Sequence, residues 1–450
     1  MILSFVFALL SILLTFLCSG SFASFLMATF IFVSGQLFCR FVNRKSRYKG
    51  RLLFNIVFSC LTIFACIHYY DTVVDWAYFA QDWKDEYKFW SISEILSKYP
   101  SINRIFVDCF IERNVGGLIE NQGYVFYIGF LGYIVENFLD GNHLLLQFLG
   151  SVLFGSLSSI VLYKIFLNYF DKNKSFNHVL IFSLCCVVFS YGFAFLRDIV
   201  IYFFYALMIY LTLSKFSVSN LIKLICLSFI VFQLRFEHGL FSIMFIAYYI
   251  YRAFNKIKIL IPFVVVCLIV IFFTYFSEFL DTALNSMDRY EKYTSDSALS
   301  KSGLSAYIFT LPPFIKEIVL FFYTQITPFP PTFAVSQTVN MFGAIVESHT
   351  IIYEIFWVIV FYLILKWLIF DKKIKQLPSE IIWLFALSII FLILNLSNPN
   401  HRRLMAVYPI IYLAYCLIKD KMPRNVVNKN KWALISIYAF GVIAYMILKD

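Results

Sequence analysis

The sequence predicts an all-α, polytopic integral membrane protein with about 11 to 13 transmembrane helices and two large external loops. Hydrophobic residues make up 61% of the 450 residues and charged residues only 14%, with a mean hydropathy of +0.80. Soluble domains do not reach such values. The apolar residues form repeated runs long enough to cross a bilayer, and Lys and Arg lie in short clusters between them, as the positive-inside rule describes.

The first apolar run, residues 1–39, contains no charged residue and is too long for a single crossing. The turn signal Ser19-Gly20-Ser21 predicts two helices, 2–18 and 22–39. The run lacks the basic n-region of a cleavable signal peptide. Arg40–Arg51 follows with six basic residues and no acidic residue, so we expect this segment and the N-terminus on the cytoplasmic side.

After the apolar run Leu52–Tyr70 comes the longest polar segment, 71–123, which we predict to be the first external loop. It carries nine carboxylates against five basic residues. A helical period over Asp71–Trp90 predicts a juxtamembrane helix with its aromatic rings at headgroup level; a solvated acidic surface helix is the alternative. The aromatic stripe would consist of Trp76, Phe79, Trp83, Tyr87 and Trp90, and the neighbouring acidic stripe of Asp71, Asp75, Asp82 and Glu86.

The parity of the crossings depends on Tyr124–Leu139, which we predict to dip into the membrane without crossing it. Only this choice places the later basic clusters on the cytoplasmic side. With Arg40–Arg51, those clusters hold 23 of the 37 basic residues and three of the 26 acidic residues. The second external loop is predicted at 278–349, with a re-entrant candidate at Leu304–Ile326. The remaining crossings are predicted at Leu144–Tyr169, 179–196, 199–214, 221–235, 239–254, 259–277, 350–370, 380–397, 403–419 and 432–448.

Other classes of site are not indicated. The net charge of +11 comes without a basic stripe interleaved with stacking aromatics, so we expect no nucleic-acid partner. The ten cysteines show neither a disulfide nor a metal-ligand spacing, and we predict no cofactor and no metal. Without an internal repeat or a soluble domain, the whole chain, 1–450, is predicted to form one transmembrane domain.

Ionised groups stand at three sites at the outer ends of apolar helices, where each costs free energy unless it is paired or functional. Arg197-Asp198 breaks two helices, and an ion pair that ends them is the structural alternative. The second site, from Arg235 to Gly239, includes Glu237 and His238, and a hairpin tip held by a salt bridge is the alternative there. His401-Arg402-Arg403 runs against the positive-inside trend, which indicates a local anion.

Guanidinium groups close to a carboxylate-rich external loop predict a lipid-diphosphate site. Arginine binds phosphate through a planar fork of donors and stabilises the charge that develops as a sugar–phosphate bond breaks. A carboxylate can deprotonate the incoming sugar hydroxyl. The predicted diphosphate-binding residues are Arg197, Arg235, His401, Arg402 and Arg403, supported by Asp198, Glu237 and His238.

Several short motifs resemble known membrane enzymes. Asp75–Asp82, Asn121-Gln122-Gly123-Tyr124, Asp140-Gly141-Asn142 and residues 153–163 resemble the N-terminal half of GT-C-fold membrane glycosyltransferases. Leu196-Arg197-Asp198, Leu234-Arg235, Pro328-Phe329-Pro330 and His401-Arg402-Arg403 with Pro409 are similar to features of bacterial surface-polysaccharide proteins, including O-antigen polymerases. The likeness spans most of the chain.

This resemblance implies a GT-C-like fold in the bacterial inner membrane, a periplasmic active site and an undecaprenyl-linked sugar donor. By position it assigns the catalytic base to Asp75, with Asp82 as second choice, and supporting roles to Gln122 and Tyr124. It also implies that the arginines hold the diphosphate. The first loop lacks the Asp-x-Asp or Glu-x-Asp pair of metal-dependent relatives, so metal dependence is not indicated.

The leading hypothesis is a surface-polysaccharide polymerase that transfers a glycan from polyprenyl diphosphate onto the next lipid-linked repeat unit. Its partners would be polyprenyl-diphosphate-linked oligosaccharides, membrane lipid and a chain-length regulator. The alternative is a glycosyltransferase that adds one sugar from polyprenyl monophosphate. A transporter or flippase of the same glycans is a third hypothesis, disfavoured because transporters place ionisable groups near the midplane and carry inverted repeats.

Overall fold

The computed structural model describes residues 2–74, 76, 84–112, 115, 122–253, 304–336, 338, 340–395 and 401–449. Within these ranges every regular element is helical, which confirms the all-α prediction. Six of the described helices are long and apolar enough to cross a membrane, and three shorter apolar helices accompany them. The polytopic prediction is therefore confirmed. The predicted crossing at 259–277 lies outside the described residues, as do the predicted bases Asp75 and Asp82.

The chain divides into two compact units, which are described separately below. Unit 1 comprises Met1–Tyr210, Gln233–Arg235 and Pro331–Phe356. Unit 2 comprises Leu211–Phe232, Phe236–Pro330 and Trp357–Asp450. Candidate membrane spans occur in both units. That the whole chain, 1–450, forms one transmembrane domain stays a prediction.

The helices before residue 214 are α1 (Ile2–Ser19), α2 (Phe22–Phe38), α3 (Arg47–Val74), α4 (Lys84–Ser97), α5 (Ile102–Phe106), α6 (Gln122–Phe138), α7 (Leu144–Phe166), α8 (Lys172–Cys185), α9 (Val188–Phe193) and α10 (Asp198–Leu213). A π-helical turn, Val107–Glu112, follows α5. The later helices are α11 (Val218–Leu234), α12 (Phe236–Ala253), α13 (Leu304–Phe309), α14 (Pro313–Tyr323), α15 (Phe333–Ser336), α16 (Met341–Ile369), α17 (Ser379–Leu394), α18 (His401–Leu404), α19 (Tyr408–Lys419) and α20 (Arg424–Lys449).

The turn between α1 and α2 confirms the predicted division of the first apolar run. Gly20 adopts a φ of 64°, a left-handed conformation that costs a residue without a Cβ little. Ser21 then caps α2, because its hydroxyl accepts a hydrogen bond from the Ser24 amide. Three consecutive small residues thus end one helix and begin the next.

Asp140, in the turn between α6 and α7, holds the start of α2 from a distance. Its two carboxylate oxygens accept hydrogen bonds from the backbone amides of Phe22, at 2.6 Å, and Ala23, at 2.8 Å. Burial alone would raise the pKa of Asp140, but the hydrogen bonds from Ala23 and Phe22 outweigh it and lower that pKa. The carboxylate therefore satisfies amides that a helix start leaves without intrahelical partners.

Helices α2 and α3 touch where Gly35 faces Phe54. A Cβ at Gly35 would lie 1.9 to 2.5 Å from atoms of the Phe54 ring. That ring is fully buried and stacks on Phe58 with centroids 5.7 Å apart, so it has little room to move away. The absence of a side chain at Gly35 allows the two helices to approach this closely.

We expect Gly35→Ala to destabilise the protein by about 1–3 kcal/mol, because overpacking forces neighbouring side chains and backbone to shift. The measurement is the apparent Tm of the detergent-purified protein. Gly50→Ala is the matched control, since a Cβ there would meet its nearest neighbours at an ordinary 3.5 to 3.7 Å. Equal Tm values for the two variants would contradict this account of the α2–α3 contact.

The predicted crossing at 179–196 is wrong as one continuous helix, because α8 and α9, with a break between them, occupy this stretch. His349 of α16 explains the break. Its Nε2–H donates to the Leu184 carbonyl at 2.7 Å, and its Nδ1 accepts from the Ser190 hydroxyl at 2.7 Å. The imidazole satisfies a carbonyl at the end of α8 and a hydroxyl in α9. A partner so distant in sequence gives no local signal.

Two predicted boundaries also shift. Helix α3 begins five residues before Leu52 and continues to Val74, so residues 71–74, assigned to the first external loop, are helical. Helix α16 begins at Met341, so residues 341–349, assigned to the second loop, are helical too. The Asn340 side chain explains the second start, because its Oδ1 accepts a hydrogen bond of 2.9 Å from the Gly343 amide, as an N-cap does.

A single helix over Asp71–Trp90 is wrong. In a straight helix Asp71 and Glu86 would stand about 22 Å apart along the axis. Instead both carboxylates reach the two nitrogens of one imidazole, His68. Helix α4 therefore starts beside the last turns of α3 and does not continue that helix. Trp90 is buried in the protein, which also differs from a headgroup anchor.

Candidate active site

Arg235 and Asp198 form a buried ion pair in unit 1. Arg235 stands between α11 and α12, and one of its terminal nitrogens donates to Asp198 Oδ1 at 2.7 Å. Each side chain is only 3% exposed. Asp198 is the first residue of α10, where the helix dipole favours a carboxylate. The pair joins two of the three charged sites that the sequence singles out.

The motif Gln122-Gly123-Tyr124 lies against this pair. A Cβ at Gly123 would come within 3.1 Å of the backbone of Gln233, two residues before Arg235. Tyr124 is fully buried, with its ring edge-to-face against Phe89 at 4.8 Å between centroids. It is also within electrostatic range of the carboxylates of Glu86 and Asp198. Tyr124 therefore connects the ion pair with a second polar cluster around Glu86.

That second cluster is built on His68, in the last two turns of α3. His68 Nε2 lies 3.0 Å from Glu86 Oε2, and His68 Nδ1 lies 3.9 Å from Asp71 Oδ2. All three side chains are at most 3% exposed. The imidazole stacks on the ring of Phe148 with centroids 4.8 Å apart. A buried histidine thus contacts one carboxylate at hydrogen-bond distance and lies near a second.

Helix α16 brings a third carboxylate to the same histidine. A Cβ at Gly343 would lie 2.9 Å from Asp71 Oδ1, so α16 begins directly beside Asp71. Glu347, one turn further on, is within electrostatic range of His68, Asp71 and Glu86. One of its oxygens accepts a hydrogen bond of 3.1 Å from the Thr350 hydroxyl. We call His68, Asp71, Glu86 and Glu347 the acidic cluster.

Unit 2 holds the third sequence site, His401-Arg402-Arg403, in the short helix α18. His401 is buried, and its Nδ1 is hydrogen-bonded to the hydroxyl of Tyr408. The Tyr408 ring stacks on Trp357 with centroids 3.7 Å apart, and the Trp357 indole donates to Gln325 Oε1 at 2.9 Å. This chain of contacts fixes the backbone that carries Arg402 and Arg403.

Burial lowers the pKa of His401 to about 4, although a hydrogen bond to the Thr327 backbone opposes the shift. The imidazole is therefore neutral near pH 7 and adds no positive charge. Of the predicted diphosphate-binding residues in α18, only Arg402 and Arg403 carry charge at that pH.

The low pKa of His401 predicts acid sensitivity of the fold. Because the folded pKa lies below the unfolded one, His401 favours the folded state above pH 6.5 and loses that contribution as the pH falls toward 4. We expect a loss of about 3 kcal/mol over this range. The apparent Tm at pH 7, 6 and 5 measures it. His401→Gln should lose part of the acid sensitivity, and His143→Gln, at a more exposed histidine, should keep all of it; equal sensitivity in both variants would contradict the assignment.

The remaining predicted site residues occupy the following positions. Arg197 is mostly buried and immediately precedes Asp198. Glu237 is half-buried in the first turn of α12, and His238 is buried against the ring of Phe391 with centroids 5.1 Å apart. In the described part of the chain, no group of three or more His, Cys, Asp or Glu side chains has the arrangement needed to hold a metal ion.

His68 and Glu347 are two residues of the acidic cluster that were not predicted from the sequence. Both lie within long apolar helices, and an ionisable residue inside a membrane span is itself a signal of function. That signal was available for both residues. Asp71 and Glu86 were predicted to lie on the acidic stripe of a single helix. Their contact with His68 was not predicted.

The chain is similar to a known protein family over the stretch that contains the Asp198–Arg235 ion pair. The family described as dolichyl-phosphate-mannose-protein mannosyltransferase matches residues 133–277, about a third of the chain. Neither a curated protein nor a solved structure matches. The matched stretch contains both Asp198 and Arg235. The match is to a GT-C-type glycosyltransferase family, and the candidate membrane spans are those of a multi-pass membrane protein.

Proposed function

We propose that the protein transfers one sugar from a polyprenyl-phosphate carrier to an acceptor at the membrane. The Asp198–Arg235 pair carries this proposal, because a buried, oriented guanidinium stands inside the stretch that matches a family of transferases named for a lipid-phosphate sugar. The same comparison favours a single-sugar transferase over the polysaccharide polymerase, since the family is described by a monophosphate carrier, dolichyl phosphate.

The chemistry assigns distinct tasks to the two charges of the pair. As the bond between the sugar C1 and the phosphate oxygen breaks, the carrier phosphate gains one negative charge. Arg235 can stabilise that charge because its fork of donors is held in place by Asp198. Its Nε has no hydrogen-bond partner among the described residues, so part of the fork is available to a phosphate. Arg197, next in the chain to Asp198, would supply a second positive charge.

The acceptor hydroxyl must lose a proton as its oxygen bonds to C1. We assign this step to a carboxylate of the first loop, Asp75 with Asp82 as second choice, as the family resemblance implies. The balance is then complete: the proton goes to the carboxylate, the sugar moves to the acceptor oxygen, and polyprenyl phosphate leaves. We place the reaction on the external face of the bacterial inner membrane, with undecaprenyl phosphate as the carrier.

A gene deletion separates this function from its alternatives. We expect the strain to accumulate lipid-linked glycans that lack one sugar, identified by mass spectrometry of the lipid extract, and to recover when the wild-type gene is restored. Accumulation of complete single repeat units would instead identify a polymerase. A transporter would move lipid-linked glycan across proteoliposomes without any change in its mass, and that result would also contradict the proposal.

A further inference from the structure

The acidic cluster contains two buried oxygen atoms that the fold does not satisfy. Asp71 Oδ1 and Glu86 Oε1 have no hydrogen-bond partner among the described residues, although their side chains are only 3% and 1% exposed. Buried carboxylate oxygens are normally hydrogen-bonded, so each such atom calls for an explanation. Two of them in one cluster, on different helices, indicate a common cause.

Both carboxylates lie close to the imidazole of His68. The second oxygen of Glu86 lies 3.0 Å from His68 Nε2, and the second oxygen of Asp71 lies 3.9 Å from His68 Nδ1. The histidine is itself fully buried and stacked on Phe148, so it cannot swing freely. The oxygens left over belong to two carboxylates beside one buried ring, Glu86 at hydrogen-bond distance, 3.0 Å, and Asp71 at 3.9 Å.

The chemistry of these atoms limits the ligand. An ionised carboxylate only accepts hydrogen bonds, so the ligand must present donors. Two unsatisfied carboxylate oxygens beside one imidazole call for at least two donors on the ligand. A sugar ring supplies neighbouring hydroxyls in this way, whereas a serine or threonine side chain supplies one.

We propose that Asp71 and Glu86, held by His68, form the subsite that binds hydroxyl groups of a sugar acceptor. The acceptor of the transfer reaction is then a glycan and not a protein hydroxyl. This inference rests on the proposed function and adds to it the residues that recognise the acceptor. His68 is a positioning residue, because it acts on the acceptor through the two carboxylates.

The test uses the full chain in liposomes. The acceptor probe is the lipid extract of the deletion strain, and the donor is a polyprenyl-phosphate sugar. We expect the KM for the acceptor to rise at least tenfold in Asp71→Asn, Glu86→Gln and His68→Gln, while the KM for the donor stays within twofold. Glu112→Gln is the control, because this partly exposed carboxylate forms a salt bridge with Arg104 outside the cluster.

Acceptor binding without donor keeps the two proposals separable. We expect radiolabelled lipid extract to bind the wild type and to bind Glu86→Gln at least tenfold more weakly, whether or not a donor is found. If the wild type binds extract but transfers no sugar, the proposed function fails and the subsite stands. If the cluster variants bind extract as well as the wild type, or lose only thermal stability, the subsite proposal is overturned. Glycosylation of a serine-containing peptide instead of the extract would overturn it as well.

Discussion

Replacing Asp198 by Asn and Arg235 by Gln together should give a protein that folds but has lost at least about 100-fold of its transferase activity. The reason is that the double variant keeps a hydrogen-bonding pair at the site and removes only the charge. Replacing only one member would leave an uncompensated buried charge, which destabilises the fold by about 3–5 kcal/mol. A loss of activity could then come from unfolding and not from catalysis. The loss of activity follows from the charge that Arg235 would offer the leaving phosphate.

The measurement compares initial rates per folded molecule, with the folded amount taken from size-exclusion chromatography and the apparent Tm. The matched control is Lys366→Gln with Asp371→Asn, which neutralises a partly exposed ion pair. We expect that control to stay within twofold of the wild type. A charge-neutral pair at positions 198 and 235 with wild-type activity would show that the buried ion pair only holds α10 next to the α11–α12 junction.

The second large effect is expected at the base. Asp75→Asn should lower the turnover number by about 10²–10⁴, because an amide cannot take the proton of the acceptor hydroxyl. The KM for the donor should change little, since the carrier phosphate is bound by arginine. Steady-state rates over a series of donor concentrations separate the two constants.

Asp85→Asn is the control for that experiment, because Asp85 is an exposed acid in the first turn of α4. We expect it to behave as the wild type. Near-normal turnover in Asp75→Asn, together with a large loss in Asp82→Asn, would transfer the role of base to Asp82. Wild-type turnover in both variants would remove the first-loop acids from the mechanism.

The sequence predicted the features that depend on local chemistry. Composition and charge clusters were enough for a polytopic helical protein, and three small residues around Gly20 marked the end of α1 to within one residue. Arg235 and Asp198 were each recognised because an ionised group at the end of an apolar helix is costly.

Features that depend on distant partners were beyond a single sequence. Asp198 and Arg235 are 37 residues apart, and nothing local shows that they pair with each other. The break between α8 and α9 depends on His349, more than 150 residues further along. The helical period over Asp71–Trp90 could not reveal that α4 starts beside the last turns of α3, because periodicity describes one face of a continuous helix and carries no information about where that helix ends.

The identity of the sugar donor tests the proposed function most directly. Purified protein in lipid nanodiscs should be given a labelled sugar on polyprenyl monophosphate or on polyprenyl diphosphate, with the lipid extract of the deletion strain as acceptor. We predict that label moves to the acceptor from the monophosphate and that polyprenyl phosphate is released in equal amount. Transfer from the diphosphate alone, with growth of a glycan chain, would contradict this account and identify a polymerase.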